Sequence, residues 1–313
     1  MSRPSDRIEV AAAVIVNERG EFLLAQRPHG KVYAGYWEFP GGKFEPGEDG
    51  FSAVRRELHE ELGIEVGKAY PWLTRDFDYP HAAVRLRFWR VVQWSGVMHG
   101  REQQAFAWQT IDNLSVGPLL PANGPILRAL ALPHLYAITC AALLGEQAFL
   151  AKLEIALQRG LRFLQVREPQ MDRSSLLRFA SEVVRMARRF DATVVVNGGA
   201  DVAVEVCADG VHFSASRLLA APARPSVKWW GASCHDEAEL ARARDLGADF
   251  VVIGPVKPTL SHPGARTLGW ERLRELLRDY PLPAFALGGL QAIHLSDAWA
   301  CGAHGVSLMR GAW

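Results

Sequence analysis

The sequence has few cysteines, no long apolar run and almost no net charge, and each shortage removes a class of function. Its four cysteines, Cys140, Cys207, Cys234 and Cys301, form no Cys-x-x-Cys pair and stand beside no histidines at zinc spacing, so neither a disulfide framework nor a structural zinc site is encoded. They read as reduced core residues. No stretch approaches the roughly 18 consecutive apolar residues that cross a bilayer, and MSRPSDRIEV at the start lacks the apolar core of an export signal. The expectation is a cytoplasmic protein with no membrane partner. Charge is balanced throughout, with 15 basic and 16 acidic residues up to Leu132 and 20 and 18 after it. Without a basic footprint, polymeric DNA or RNA is not an expected partner, whereas a single nucleotide held by a metal and one or two arginines suits this balance. What is present is a chain of 313 residues, 49% of them hydrophobic, long enough for two domains of about 150 residues with a core each. The composition leaves a homo-oligomer open.

The most patterned stretch runs from Gly41 to Ile64, GGKFEPGEDGFSAVRRELHEELGI. It reads as a glycine turn, a short acidic loop and a helix in which Glu57, Glu60 and Glu61 stand at i, i+3 and i+4 on one face. Like charges so placed repel by roughly 0.2–0.5 kcal/mol per exposed pair. A divalent cation reverses the sign, and hard carboxylate oxygens suit Mg2+ or Mn2+ better than a soft metal. By itself such a trio is equally a solvated helix face. The frame around it has its own logic. Gly41 and Gly42 let a main-chain carbonyl approach an ion, and Arg56 can brace the carboxylates from behind. Leu58, Leu62 and Ile64 supply a buried side, and Gly63 ends the helix.

This stretch carries the signature of the Nudix hydrolase family and resembles it, and WEFPGGKFEPGE, from Trp37 to Glu48, is similar to the members of MutT type that act on 8-oxo-dGTP. The resemblance implies an α/β/α sandwich on a mixed sheet. It implies Mg2+ (or Mn2+) held by Gly41, Glu57, Glu60, Glu61 and Glu102, the last in the polar loop Gly100–Gln104. Arg56 belongs to the catalytic set it implies, with Glu57 or Glu102 as the base, and Arg27, Glu38, Phe39 and Asn123 hold the nucleotide. Arg27 alone is an exposed charge at a strand end; the resemblance makes it a phosphate clamp. Asn123 lies in PANGPI, which resembles the segment whose asparagine reads the oxidised guanine. Its amide offers donors and an acceptor to a purine with adjacent keto and N–H groups, and it equally suits a helix N-cap.

Around the motif, Ile8–Val16 and Phe22–Gln26 read as a hairpin across Asn17–Glu21, Ala69–Tyr79 and Val84–Gln93 as paired antiparallel strands, and Ile126–Leu132 as a closing helix broken by Pro133. From Leu135 the pattern changes to eight short apolar runs: Leu135–Thr139, Phe163–Arg167, Thr193–Asn197, Gly210–Phe213, Trp229–Ser233, Phe250–Val256, Ala284–Leu287 and Gly305–Met309. Amphipathic segments such as Ala151–Gln158, Ser174–Arg189, Asp236–Leu246 and Trp270–Asp279 separate them. Continuous apolar strands alternating with helices mean a parallel sheet, and eight of them suggest a (β/α)8 TIM barrel, smaller than the typical ~250 residues and almost without a final helix. Chemistry in such a barrel sits at the C-terminal strand ends, which here carry Thr139, Arg167, Asn197, His212, Ser233, His235, Gly254 and Gly288-Gly289.

The segments LYAIT, LQVRE, ADGVHFS, GASCH, GADFVVIGPV and ALGGL resemble the thiamine phosphate synthase and TenI (thiazole tautomerase) family from Leu135 to Arg310. That resemblance implies a ligand site made of Arg167, Asn197, Ser233, His235, Gly288, Gly289 and Ser307, suited to a phosphorylated thiazole. His235 is then a proton carrier of the TenI kind or an ordinary strand-end residue. The departures weigh against synthesis. Gly198 and Arg217 stand where the family has its metal carboxylates, and Pro169 and His262 where it has basic side chains. The combined expectation is a Nudix domain at Met1–Leu132 and a barrel at Pro133–Trp313. The first would hydrolyse a nucleoside triphosphate, above all 8-oxo-dGTP, and the second would lack synthase activity. The alternatives are a Nudix hydrolase of a thiamine-pathway pyrophosphate, a bifunctional enzyme with an active barrel, and a barrel that only senses a ligand or dimerises.

Overall fold

A computed structural model describes residues 7–100, 104–259, 264 and 266–313. The chain divides into two compact units, one built on the residues up to Ala131 and the other on Leu132–Leu277 and Leu282–Trp313.

The first unit is a mixed-sheet α/β domain. Its strands are β1 (Ile8–Ile15), β2 (Phe22–Gln26), β3 (Trp37–Glu38), β4 (Gly41–Lys43), β5 (Glu65–Tyr79), β6 (Ala82–Ser95) and β7 (Phe106–Gln109), with helices α1 (Gly50–Leu62) and α2 (Gly124–Leu130). The four-stranded sheet has the order β4-β1-β6-β5 and the three-stranded sheet β3-β2-β7. The expected hairpin of β1 and β2 does not form: the two meet only at a single bridge, Val16 with Phe22. β1 runs parallel to β6 and antiparallel to β4 instead. The reason is its composition. Ala11, Ala13 and Ile15 face a core that includes Val54, Leu58 and Leu62 of α1, while Ala12 and Val14 face a second core with Phe39, Phe88 and Ile126. A strand apolar on both faces is stable in the middle of a sheet, covered on each side. β5 ends at Tyr79 as expected but starts at Glu65 rather than Ala69, because register shifts at Val66/Lys68 and Lys68/Ala69 interrupt the alternation there, and β6 runs slightly past Val84 and Gln93 at its two ends. α1 starts at Asp49, whose side chain accepts from the Ser52 amide, and ends at Gly63 with φ 70°.

The second unit is a closed (β/α)8 barrel. Its strands are β8 (Leu135–Ile138), β9 (Phe163–Val166), β10 (Thr193–Asn197), β11 (Gly210–Phe213), β12 (Trp229–Cys234), β13 (Phe250–Ile253), β14 (Ala284–Leu287) and β15 (Gly305–Leu308). Each pairs in parallel with the next, and β15 returns to β8. Aromatic rings fill the middle, with Tyr136 stacked on Phe163 at 4.3 Å and Phe250 against both. After β15 there is only one turn of 3-10 helix, and Trp313 closes that side by packing on Phe149 and donating to the Ile138 carbonyl at 2.9 Å. Among the described residues, no helix is long and apolar enough to cross a membrane.

Candidate active sites

In the first unit, Arg56 on α1 is the hub of the acidic face. Its Nε and Nη2 grip the Glu48 carboxylate at 3.0 and 2.9 Å, Nη1 donates to Glu57 at 2.8 Å and to Glu60 at 3.3 Å, and Nη2 also reaches the Lys43 carbonyl at 3.0 Å. All five guanidinium protons are engaged, which a lysine could not reproduce. Glu48 and Glu57 raise the Arg56 pKa further above its ordinary value. The expected trio is not drawn together evenly. Glu57 and Glu61, one turn apart, face the Gly41-Gly42 turn, whereas the Glu60 side chain is 57% exposed.

The two glycines are required by close approach. Gly41 has φ 145°, and a β-carbon there would lie 2.1 Å from the Ala11 carbonyl oxygen; one on Gly42 would lie 2.2 Å from the Glu57 carboxylate. The Gly41 amide donates to Glu61 at 3.2 Å. Burial, and then the charge of Glu57, push the Glu61 carboxyl up to about 8, and Lys31 works in the opposite direction. Burial also raises Glu57 against the pull of Arg56. Two neighbouring carboxyls that tolerate their charge this poorly fit a hard divalent cation, which takes oxygen ligands and neutralises both. Among the described residues, no three His, Cys, Asp or Glu side chains already stand as a metal cluster. Glu102 lies outside the described residues.

Around this pair, Arg27, Lys31, Glu38, Gly41, Glu61 and Gln104 line one small pocket. Arg27 donates to Glu38 at 2.5 Å and to the Val32 carbonyl at 2.8 Å; burial raises the Glu38 carboxyl while Arg27 lowers it. Phe39 has its ring in the core between Phe22 and Phe88, so it can meet a ligand only through its backbone. Asn123 is at the N-cap position of α2, but its side chain makes no capping bond. It donates instead to the Trp37 carbonyl at 3.2 Å. The sequence reading missed Lys31, whose charge acts on Glu38, Glu57 and Glu61. A lone lysine in a loop between glycines carries no spacing signal. It also missed an aromatic group of Tyr33, Tyr36, Tyr79 and His81, with ring centroids 5.2–5.8 Å apart.

In the barrel, Asn197, His212 and Ser233 come together on the successive strands β10, β11 and β12. Asn197 Nδ2 donates to the His212 carbonyl at 3.4 Å, and His212 Nε2 lies 3.0 Å from Ser233 Oγ. Arg167 is exposed just past β9, its amide donating to Thr139 Oγ1 at 2.9 Å. His235 is not joined to this group; it is exposed, and its Nδ1 lies 2.9 Å from Glu239. Gly288 and Gly289 pack against the segment from Pro255 to Pro258, where β-carbons would come within 2.6 and 2.4 Å of it. Ser307 Oγ is buried and has no hydrogen-bond partner among the described residues. His262 lies outside the described residues. The Arg217 guanidinium sits over the Phe213 ring at 5.7 Å, and its Nη1 is 3.5 Å from the place a β-carbon on Gly199 would take. Three polar groups escaped the sequence reading: Tyr136 and Gln165 inside the barrel, and Glu168, whose buried carboxylate accepts from the Ala141 and Ala142 amides at 2.7 and 3.0 Å. The available signal was a polar atom inside an otherwise apolar run.

Comparison with known proteins divides the chain at the same place. A NUDIX domain model matches residues 6–130, and a thiamine monophosphate synthase model matches residues 135–312. The first region is 39% identical to an 8-oxo-dGTP diphosphatase of Haemophilus influenzae, covering 39% of this chain and 90% of that protein. It is 40% identical to a CTP pyrophosphohydrolase of Escherichia coli, with 39% and 90% covered. The second region is 31% identical to a thiamine-phosphate synthase of Chloroflexus aurantiacus, covering 56% of this chain and 83% of that protein. The chain is therefore a fusion of two families, and belongs through its N-terminal part to the Nudix (MutT-like) hydrolases and through its C-terminal part to the thiamine phosphate synthase/TenI family.

Proposed function

We propose that the N-terminal domain hydrolyses a nucleoside triphosphate, 8-oxo-dGTP above all, to the monophosphate and pyrophosphate with the help of Mg2+ or Mn2+. The observation that carries this reading is the Glu57–Glu61 pair at the Gly41-Gly42 turn, in reach of a pocket that Arg27 and Lys31 line. A divalent ion held by the Gly41 carbonyl, Glu57, Glu60 and Glu61 would neutralise the polyphosphate and make a water more acidic. The chain's own residues do the rest. Arg56 fixes Glu57 and Glu60 through bonds that leave no guanidinium donor spare. Glu57 is the base candidate among the described residues, its carboxyl raised by burial against the pull of Arg56. Arg27 and Lys31 meet the phosphates, and Asn123 meets the base.

The identity of the base is the open choice, because a CTP pyrophosphohydrolase and an 8-oxo-dGTP diphosphatase are equally similar to this domain. The test is a panel of 8-oxo-dGTP, dGTP, CTP and thiamine-pathway pyrophosphates, with the full chain and Mg2+. A kcat/KM at least ~10-fold higher for 8-oxo-dGTP, a preference of about 1.4 kcal/mol, supports the reading. A preference for CTP or for a thiamine-pathway pyrophosphate overturns it. For the barrel, we propose a site for a phosphorylated small molecule, a thiazole phosphate in first place, without synthase chemistry. Gly198 supplies no carboxylate, and although Asp201 lies beside Gly199, the Arg217 guanidinium at the same place supplies a positive charge that competes with a metal cation.

A further inference from the structure

Three non-glycine residues among those described have a left-handed backbone: Tyr33 at φ 61°, and Asp191 and Cys207 at φ 53°. The last two end helices. Asp191 follows Arg173–Arg188 and Cys207 follows Ala200–Glu205, and the next amides, of Ala192 and Ala208, return to the Ala187 and Ala203 carbonyls at 3.1 and 2.8 Å, which is a common way for a helix to stop. Tyr33 has no helix before it, since it lies in the loop between β2 and β3. A bulky side chain in that backbone region is unfavourable and persists only where its surroundings hold it.

What holds Tyr33 is a set of rings. Tyr36 of the same loop lies 5.2 Å away between centroids, and Tyr79 and His81 at the turn from β5 to β6 lie at 5.6 and 5.8 Å. The neck of the loop is fastened elsewhere, to the end of β2: the Arg27 amide donates to the Tyr36 carbonyl at 2.8 Å, and the Gly35 amide and Gln26 Nε2 add bonds of 3.0 Å each. Tyr33 thus joins the outer part of the loop to a second element. Just before it stand Lys31, which lines the pocket and whose charge acts on Glu38, Glu57 and Glu61, and Val32, whose carbonyl accepts from Arg27 Nε at 2.8 Å. Tyr33 is not itself part of the pocket lining, but its ring partners border the site: burial, and then the Glu38 charge, push the Tyr79 hydroxyl up to about 12, against the Ala122 amide and Arg27.

We propose that Tyr33 is a positioning residue of this site: its ring, docked on the β5–β6 turn, holds the loop with Lys31 at the pocket and so sets the affinity for the polyphosphate. This rests on the reading that the N-terminal domain takes nucleoside triphosphates. The left-handed backbone at Tyr33 lets the ring meet that turn while Lys31, two residues earlier, stays at the pocket, and the ring contacts offset its cost. A device of this kind acts on the phosphates, which all nucleotides share, and is indifferent to the base.

The test is steady-state kinetics of the full chain with Mg2+ and 8-oxo-dGTP, dGTP and CTP. Tyr33→Gly removes the ring and adopts a positive φ freely. For each triphosphate hydrolysed, it should raise KM by about tenfold and by the same factor, as expected when a binding loop loses its preorganisation, with kcat kept within about twofold. Tyr33→Phe, which keeps the ring, should restore both constants. His81→Ala, at an exposed position that the fold tolerates, should raise KM in the same way by about threefold. In a Lys31→Met background, Tyr33→Gly should add little, because residues acting through one contact are not additive. An unchanged KM in either Tyr33→Gly or His81→Ala overturns the proposal and leaves the triphosphate reading in place. A rise confined to one base does the same, since it would make the ring a base contact, and so does a full further rise on top of Lys31→Met. If no nucleoside triphosphate is hydrolysed, the reading fails and the proposal with it.

Discussion

Asn123→Ala separates a residue that reads the base from one that ties the fold together. The side chain is 4% exposed, makes no cap, and donates once, to the Trp37 carbonyl at 3.2 Å. That carbonyl also accepts from the Leu120 amide at 3.0 Å, so the substitution leaves no orphaned acceptor. The stability loss should then lie within the ~0.5–1.5 kcal/mol of an ordinary hydrogen bond. With Nδ2 facing Trp37, the proposed role leaves the amide oxygen and the second N–H for the base. Its loss should cost about 1–3 kcal/mol of discrimination, a fall of roughly 5- to 150-fold in the ratio of kcat/KM for 8-oxo-dGTP over dGTP. The assay is that ratio in both proteins, with a denaturation curve for each, and turnover of dGTP itself should change little. An unchanged ratio beside a measurable stability loss refutes the reasoning and makes Asn123 a tether for Trp37 and nothing more.

Three further outcomes are expected. Glu57→Gln should lower hydrolysis by at least ~100-fold with the fold intact, since in the proposed mechanism it removes both a ligand charge and the base; near-normal turnover at saturating Mg2+ would remove Glu57 from the site. His212, held near 3 against an ordinary 6.5, makes barrel stability depend on acid. The unfolded chain binds the extra proton between those values, so the stabilisation is complete above about pH 6.5, about 2 kcal/mol is lost by pH 5, and more as the pH falls toward 3. Chemical denaturation at pH 7 and pH 5 should show this, and an equal loss in His212→Asn would assign it elsewhere. Finally, the full chain given a pyrimidine pyrophosphate, a thiazole phosphate and Mg2+ should form no thiamine phosphate; product would make the protein bifunctional.

The barrel was legible in the sequence almost to the residue. Thr193–Asn197, Gly210–Phe213 and Ala284–Leu287 are strands with the expected ends, because a short strand buried on both faces has nothing but apolar residues between its turns. The first unit was harder. Nothing local says that β1 avoids β2; that choice is made by the two cores competing for its two faces. The bulges of β5 erase the alternation that would have revealed its first residues.

The two sites differ in legibility for a reason of geometry. On α1 a helical repeat brings Arg56, Glu57, Glu60 and Glu61 together from adjacent positions, so their chemistry appears as a written motif. Even there the motif does not say that Arg56 engages Glu60 while Glu61 turns to the Gly41 amide, since that is decided by the turn opposite the helix. A barrel distributes its site one residue per strand. Tyr136, Gln165, His212 and Ser233 are separated by 29, 47 and 21 positions, and each alone is a polar residue in an apolar run with no spacing to connect it to the next. Only closure of the sheet makes them neighbours, with Gln165 Nε2 2.8 Å from the Tyr136 hydroxyl and His212 Nε2 3.0 Å from Ser233 Oγ. The same logic applies to Arg217. Its sequence position is informative only by contrast with a family, whereas the structure shows what surrounds it: the guanidinium lies over the Phe213 ring, and beside Gly199 it shares its place with the nearer Asp201 carboxylate, a pairing that no spacing in the sequence announces.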